Sequence, residues 1–355
     1  MSYKDILEKT RTGDRISAME ACQLFRTAPL LTLGETANYL TRQKHPEPIV
    51  TYIVDRNINY TNICISQCRF CAFYRHTDHP EGYLLEWPIL EKKIEETLAQ
   101  GGIQILMQGG LHPQLEITFF EELLTRIKTH FPEIHIHGFS PPEIIHISRQ
   151  SNLTIPQTLV RLKAAGLGSI PGGGAEILSD RVRKLISPNK CTSQEWLLVM
   201  EQAHKLGLRT TATMMYGHIE TIEERIEHLI KLRELQDKTG GFTAFIPWSF
   251  QHPNTALGKQ KPSFAFDYLK TLAIARIVLD NFANIQASWV TQGSKIAQIA
   301  LFFGANDLGS TMLEENVVRS AGVSFCLTEA DLRRMITDIG FIPRRRNTFY
   351  DLISS

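Results

Sequence analysis

Residues 62–75 read NICISQCRFCAFYR, and the three cysteines in that run, Cys64, Cys68 and Cys71, stand as C-x₃-C-x₂-C. The run follows an extended stretch, VTYIVDRNINYTN, which opens the β-rich part of the chain. Outward from it, short apolar runs alternate with longer ones of helical period. Strand candidates fall at 57–61, 103–108, 134–138, 167–170, 209–214, 242–246, 285–289 and 299–303. Helix-period stretches lie between them at 90–100, 119–129, 155–165, 193–206, 222–238 and 264–281, several closed by a glycine such as Gly101, Gly166, Gly207 or Gly240. Parallel neighbours need crossover connections, so eight strands separated by helices predict an α/β fold with a parallel sheet. A closed (β/α)₈ TIM-type barrel is the expectation, and an open doubly wound sheet the alternative.

Residues 1–48 form an N-terminal helical extension with helices at 17–27 and 32–43, opened by capping boxes of Ser17 with Glu20 and Thr32 with Glu35. Residues 49–310 make the barrel, and 311–355 are expected as a C-terminal helical segment packing on it. The chain's 355 residues carry 38 Lys+Arg against 37 Asp+Glu, with 43% hydrophobic and 21% charged. Those proportions exclude a disordered tail, a fibre and a basic polyanion binder. No run approaches the roughly 20 apolar residues of a membrane span, and the polar opening lacks a secretory apolar stretch. A cytoplasmic protein with no nucleic-acid or membrane partner is expected. Three of the six cysteines fall within eight residues, which suits a metal or cluster site in a reducing compartment better than a disulfide framework.

Three thiolates on one loop can hold three corners of a [4Fe–4S] cubane and leave the fourth iron open. The amino and carboxylate groups of S-adenosylmethionine can take that place, which sets the sulfonium beside an electron donor. One electron then breaks a C–S bond and releases a 5′-deoxyadenosyl radical. Two alternatives stand beside this reading. One is a structural zinc site completed by His76, Asp78 or His79. The other is a non-catalytic electron-transfer cluster with a remote fourth thiolate from Cys22, Cys191 or Cys326. In a barrel, chemistry belongs at the C-terminal ends of the strands. The unusual residues cluster there, at 109–110, 140–142, 172–176, 216–218, 247–248, 289–292 and 306–307.

The triad, with the aromatic Phe70 before its last cysteine, resembles the radical S-adenosylmethionine (radical SAM) enzymes. The likeness continues through QGGLHP, HGFSPPEI, GGGAEIL, MMYGHIET, PWSFQHPNT, ASWVTQG and FFGANDLGSTMLEENV, and spans about residues 28–350. These stretches are similar to the branch that holds the futalosine-pathway and deazaflavin-pathway synthases. Their wording is nearest to the dehypoxanthine futalosine cyclases of menaquinone biosynthesis. Aminofutalosine synthase and deazaflavin (F420 precursor) synthase are the neighbouring readings.

The resemblance implies an oxidoreductase-type cyclase (EC 1.21-type) with one [4Fe–4S] cluster, S-adenosylmethionine, a small-molecule substrate and an external electron donor such as flavodoxin or ferredoxin. The adenosyl radical would take hydrogen from C4′ of the substrate sugar. The carbon radical would then attack the benzoate ring, and loss of a proton and an electron would restore aromaticity.

Roles follow by position. Gly109 and Gly110 let backbone approach the cofactor, with Phe70, Ser140 and Glu176 nearby. Leu111 stands where related barrels carry a glutamate, and Trp196 where they carry an arginine, so Lys190 or Arg183 is the candidate partner of the cofactor carboxylate. A neutral histidine suits proton acceptance. His218 is the first candidate base, and Glu220 and Asp307 the weaker ones, although a lone histidine is commonly a structural hydrogen-bonder. Tyr60, Tyr216, Trp248 and Trp289 would stack on adenine or benzoate, with Gln292 as a polar substrate contact. Arg56 or the 344–346 arginine run would clamp the carboxylate, with Arg344 and Arg345 read as a solvated face.

Overall fold

The computed structural model describes residues 1–259, 263–322 and 327–353. Helices α1 (Tyr3–Arg11), α2 (Ala18–Thr27) and α3 (Leu30–Lys44) come first. Ser17 caps α2 through the expected box with Glu20. The second box does not form: α3 begins at Leu30, behind Pro29 at the N-cap and with no side-chain cap. The proline's fixed φ aims the chain straight into the helix, and Thr32 falls inside it.

Among the described residues ten strands follow: β1 (Ile49–Ile53), β2 (Asp55–Asn59), β3 (Gln104–Gln108), β4 (His135–Gly138), β5 (Ser169–Ile170), β6 (Arg209–Tyr216), β7 (Phe242–Ser249), β8 (Asn284–Ile285), β9 (Asp307–Ser310) and β10 (Ile342–Arg345). Helices α4 (Trp87–Ala99), α5 (Ile117–His130), α6 (Pro141–Gln150), α7 (Ile155–Ala165), α8 (Asp180–Ile186), α9 (Ser193–Lys205), α10 (Ile222–Thr239), α11 (Ala265–Val278) and α12 (Trp289–Ala300) alternate with them. Short α13 (Val317–Ser320) and α14 (Glu329–Thr337) complete the set.

Strands β2 to β8 form one seven-stranded sheet in sequence order, with parallel pairing at each step. A parallel bridge from Gln286 to Asp307 carries the ring from β8 to β9. Strand β9 pairs with β1, and β1 runs on through Val54 into β2. The curled sheet thereby returns to its first strand, as a TIM-type barrel requires. Alternate residues face opposite ways: Ile105, Met107 and Ile136 are buried beneath the helices, whereas Asp55, Asn57, Gln104 and His137 line the lumen.

Two expectations are corrected. Residues 299–303 are not a strand: α12 runs to Ala300 and a turn follows. Ala297, Ala300 and Leu301 are buried while Ile299 and Phe302 are exposed, a helical spacing that an apolar run conceals. The strand is β9, whose DLGS has no apolar run and exists through its partners. The segment after residue 310 is also not wholly helical, because β10 pairs in parallel with β1. Pro343 lies within β10, which is the outer strand of its three-stranded sheet, the place where a missing N–H is tolerated. No helix among the described residues is long and apolar enough to cross a membrane.

Candidate active site

The lumen encloses a cavity of about 300 Å³, within the range of small-molecule sites. The cysteine loop lies beyond the end of β2 and is positioned by backbone. Cys64 N donates to Arg75 O (3.0 Å), Ile65 N to Leu111 O (3.0 Å) and Arg69 N to Ile186 O (2.8 Å). Arg75 gathers the far end, donating from Nη1 to the carbonyls of Ala72, Phe73 and Tyr74. Cys68 is buried with Ser66 Oγ 3.2 Å from its sulfur, and Cys64 and Cys71 are partly exposed.

Gly110 explains how the loop sits against β3. A Cβ there would meet Ile63 O at 2.2 Å and Cys64 Cβ at 2.8 Å, and at Gly109 it would meet the Tyr60 ring at 2.5 Å. Backbone therefore packs where no side chain fits.

The donor set fits a cluster held at three corners. Three thiols share one loop, Cys191 Sγ accepts from Arg183 at 3.4 Å, and Cys22 is buried in α2. Cys326 lies outside the described residues. Of the zinc alternatives, His76 Nδ1 is 3.5 Å from Gln67 Nε2, and His79 Nδ1 accepts from Glu81 N at 3.1 Å. Among the described residues no three His, Cys, Asp or Glu side chains are gathered as for a single ion.

Next to the loop, Lys190 Nζ lies 2.9 Å from Glu176 Oε1 and 5.1 Å from the centroid of the Phe70 ring, which joins three of the expected cofactor residues. Glu176 is buried at a left-handed φ of 41°, and it lines the cavity. Arg183 is spent on the carbonyls of Cys191, Ala175 and Gly174, so Lys190 is the better placed cation. Trp196 donates from Nε1 to Gly173 O (3.1 Å), tying the glycine turn rather than binding charge.

The sequence did not single out Glu143. It is buried in α6 and accepts from Tyr60 Oη, Gly109 N, Ser140 N and Ser140 Oγ at 2.6–2.9 Å. Burial pushes its carboxyl above the usual range against those four donors. It locks Ser140 and the glycine pair into one unit, and its signal was the Ser140-x-x-Glu143 capping box. His137 of β4 also lines the cavity, and the sequence reading did not single it out. Its signal was the alternation IHIHG, which places both histidines of β4 on one face.

Several expected residues take other places. Arg56 is one residue out of phase with the lumen-facing Asp55 and Asn57, and it donates to Glu96 and to Lys93 O over α4. Tyr60 turns its hydroxyl to Glu143. Tyr216 is buried beneath Arg225, whose Cζ stands 4.4 Å from the ring centroid. His218 Nε2 bonds Met215 O at 3.1 Å, and its Nδ1 accepts from Ile219 N at 2.8 Å. Glu220 accepts from Gly217 N, His218 N and Arg225 Nε. Burial opposes its charge, but His218, Arg225 and the two amides outweigh that and hold its carboxyl low.

Asp307 is fully buried, accepting from Arg346 Nε (2.6 Å) and Nη2 (2.9 Å), Thr51 Oγ1 and Gly309 N. All three are engaged by neighbouring groups of the protein. Trp248 and Trp289 do line the cavity, while Gln292 instead donates to Ser249 Oγ (2.6 Å). Arg346 is the single Lys or Arg lining the cavity among the described residues.

Residues 58–232 match the family model of the radical SAM superfamily, and residues 239–355 match that of the CofH/MqnC C-terminal region. The chain is 45% identical to the cyclic dehypoxanthine futalosine synthase of Halalkalibacterium halodurans, over 99% of this chain and 95% of the relative. It is also 45% identical to the 5-amino-6-(D-ribitylamino)uracil–L-tyrosine 4-hydroxyphenyl transferase of Archaeoglobus fulgidus, over 86% and 89%. Among solved structures, methylornithine synthase (PylB) shares the fold with a TM-score of 0.73 at 17% identity, covering 96% of this chain and 97% of that one.

Proposed function

Because the chain belongs to the radical SAM superfamily, we propose that it is the enzyme that closes dehypoxanthine futalosine to cyclic dehypoxanthinyl futalosine. The 45% identity to a cyclic dehypoxanthine futalosine synthase, over 99% of this chain and 95% of that relative, supports this reading. Cys64, Cys68 and Cys71 would hold the cluster, and the Gly109–Gly110 turn, Glu143, Glu176 and Lys190 would seat S-adenosylmethionine beside it. When bound, these groups supply a 5′-deoxyadenosyl radical able to take a hydrogen atom from carbon.

The rest is the work of the lumen. Its enclosing wall keeps water from a reactive carbon radical. Trp248 and Trp289 offer flat apolar faces to the benzoate ring. Asn57, Gln108 and Thr213 offer hydrogen bonds to the sugar, and they hold the molecule folded so that ring and sugar carbon meet. A small reductant such as flavodoxin or ferredoxin would supply the electron.

The equal identity to the archaeal transferases supports a second reading, transfer of a 4-hydroxyphenyl group from tyrosine to 5-amino-6-(D-ribitylamino)uracil. One assay decides between them. Reconstituted, reduced protein is given S-adenosylmethionine with either dehypoxanthine futalosine or the uracil plus tyrosine, and products are read by mass spectrometry. The expected result is 5′-deoxyadenosine together with a cyclised product from the first substrate alone. An adduct from the second pair would replace the proposal, and no cleavage with either would end both.

A further inference from the structure

Strand β4 sends His135 and His137 to the same face, since alternate residues of a strand point alike. Between them stands Ser169 of β5. Its Oγ lies 2.6 Å from His137 Nδ1 and 2.7 Å from His135 Nε2. The hydroxyl is buried and bonds no other group among the described residues. His137 lines the cavity. His135 lies two residues nearer the start of the strand, half-buried, with its ring edge-on to Phe349 at 5.2 Å. Room for that ring comes from Gly168, where a Cβ would sit 2.4 Å from His135 Cε1.

A hydroxyl has one proton, so Ser169 must accept one of these bonds and donate the other. With His137 donating from Nδ1, its Nε2 presents a bare lone pair on the cavity side. Ser169 then donates to His135 Nε2, and His135 carries its own proton on Nδ1. A proton taken up at His137 Nε2 moves the Nδ1 proton to Ser169 and the serine proton to His135 Nε2, and it releases one from His135 Nδ1. One proton enters, one leaves, and no group ends charged.

Burial holds both rings neutral near pH 7. It takes His137 down to about 3, aided by His135 and Arg346, and His135 down to about 4, aided by Lys128 on α5. Imidazoles so reluctant to stay charged pass a proton on rather than keep it.

We propose that His137 is the base that accepts the proton leaving the aromatic ring on cyclisation, and that Ser169 and His135 relay it away from the lumen. This rests on the cyclase reading. After the new C–C bond forms, the ring radical gives one C–H proton to His137 Nε2. Its unpaired electron goes to a one-electron oxidant of the iron–sulfur class, which restores aromaticity. His137 is the catalytic residue here; Ser169 and His135 are positioning and relay residues.

Two measurements test it. ¹⁵N-edited NMR of the unloaded protein should show His137 as the Nδ1–H tautomer, with neither His135 nor His137 titrating between about pH 5 and pH 8. Ser169→Ala should mix the His137 tautomers. In single-turnover assays of His137→Gln and Ser169→Ala, 5′-deoxyadenosine should still form. The ratio of cyclised product to 5′-deoxyadenosine should fall about a hundredfold, at the modest end of what a general base contributes. The solvent isotope effect on wild-type product formation should vanish in Ser169→Ala. An unchanged ratio in both variants, or product and 5′-deoxyadenosine falling together, overturns the relay. So does the Nε2–H tautomer at His137. A wild type that cleaves S-adenosylmethionine without cyclising sinks the cyclase reading instead, and that result is distinct from any variant effect.

Discussion

The cysteine loop and the Asp307–Arg346 pair are both polar regions of the barrel, used in opposite ways. Asp307 has four donors and Arg346 is bidentate on it, so neither can give itself to a ligand without leaving the other buried and unpaired. The cysteine loop is instead tied down by backbone amides and carbonyls, from Cys64 N on Arg75 O to Arg69 N on Ile186 O, which leaves thiol chemistry to an incoming group. A buried charge in a lumen is therefore no sign of catalysis. Unspent bonding capacity is.

That contrast sets the order of expected effects. Cys68→Ala should abolish S-adenosylmethionine cleavage and lower bound iron while hardly moving the urea midpoint; retained cleavage would break the contrast at its strongest point. Asp307→Asn should do the reverse. Disrupting a buried ion pair costs about 3–5 kcal/mol, read by urea unfolding, while turnover per folded molecule persists. A folded Asp307→Asn protein with wild-type stability but no cyclisation would return Asp307 to the chemistry. His218→Gln sharpens the comparison from the loop side of β6, because this histidine bonds only its own turn. The expected change is about 1 kcal/mol of stability with little change in product rate. A collapse in the product ratio there would make His218, not His137, the base.

What could be read from the sequence was what neighbours in the chain determine. Helix α7 falls at 155–165 as predicted, since Thr154 caps it with Gln157 and Gly166 ends it. The cysteine triad and the glycine pair are likewise short contiguous motifs, and the structure packs Gly110 against Ile63 and Cys64. Phase and partner could not be read this way. Whether Arg56 or Asp55 faces the lumen depends on the ring's register, and a strand's alternation alone fits either choice. Asp307 and Arg346 find each other across 39 residues, and nothing local to DLGS announces a strand. His135 and His137 were visible as an alternating pair, but Ser169 between them comes from the next strand.

The split run of β1 and β2 has a consequence for how the molecule is made. Thr51 bonds Asp307, 256 residues further along, and Ile49 pairs with Ile342. During synthesis the first strand therefore emerges with neither of its eventual neighbours and must be held open while the rest is translated. Such distant pairing slows folding. Until β9 and β10 arrive, both edges of β1 are bare templates for a strand from another molecule, so a ribosome that stalls before residue 342 leaves an adhesive intermediate as well as an inactive one.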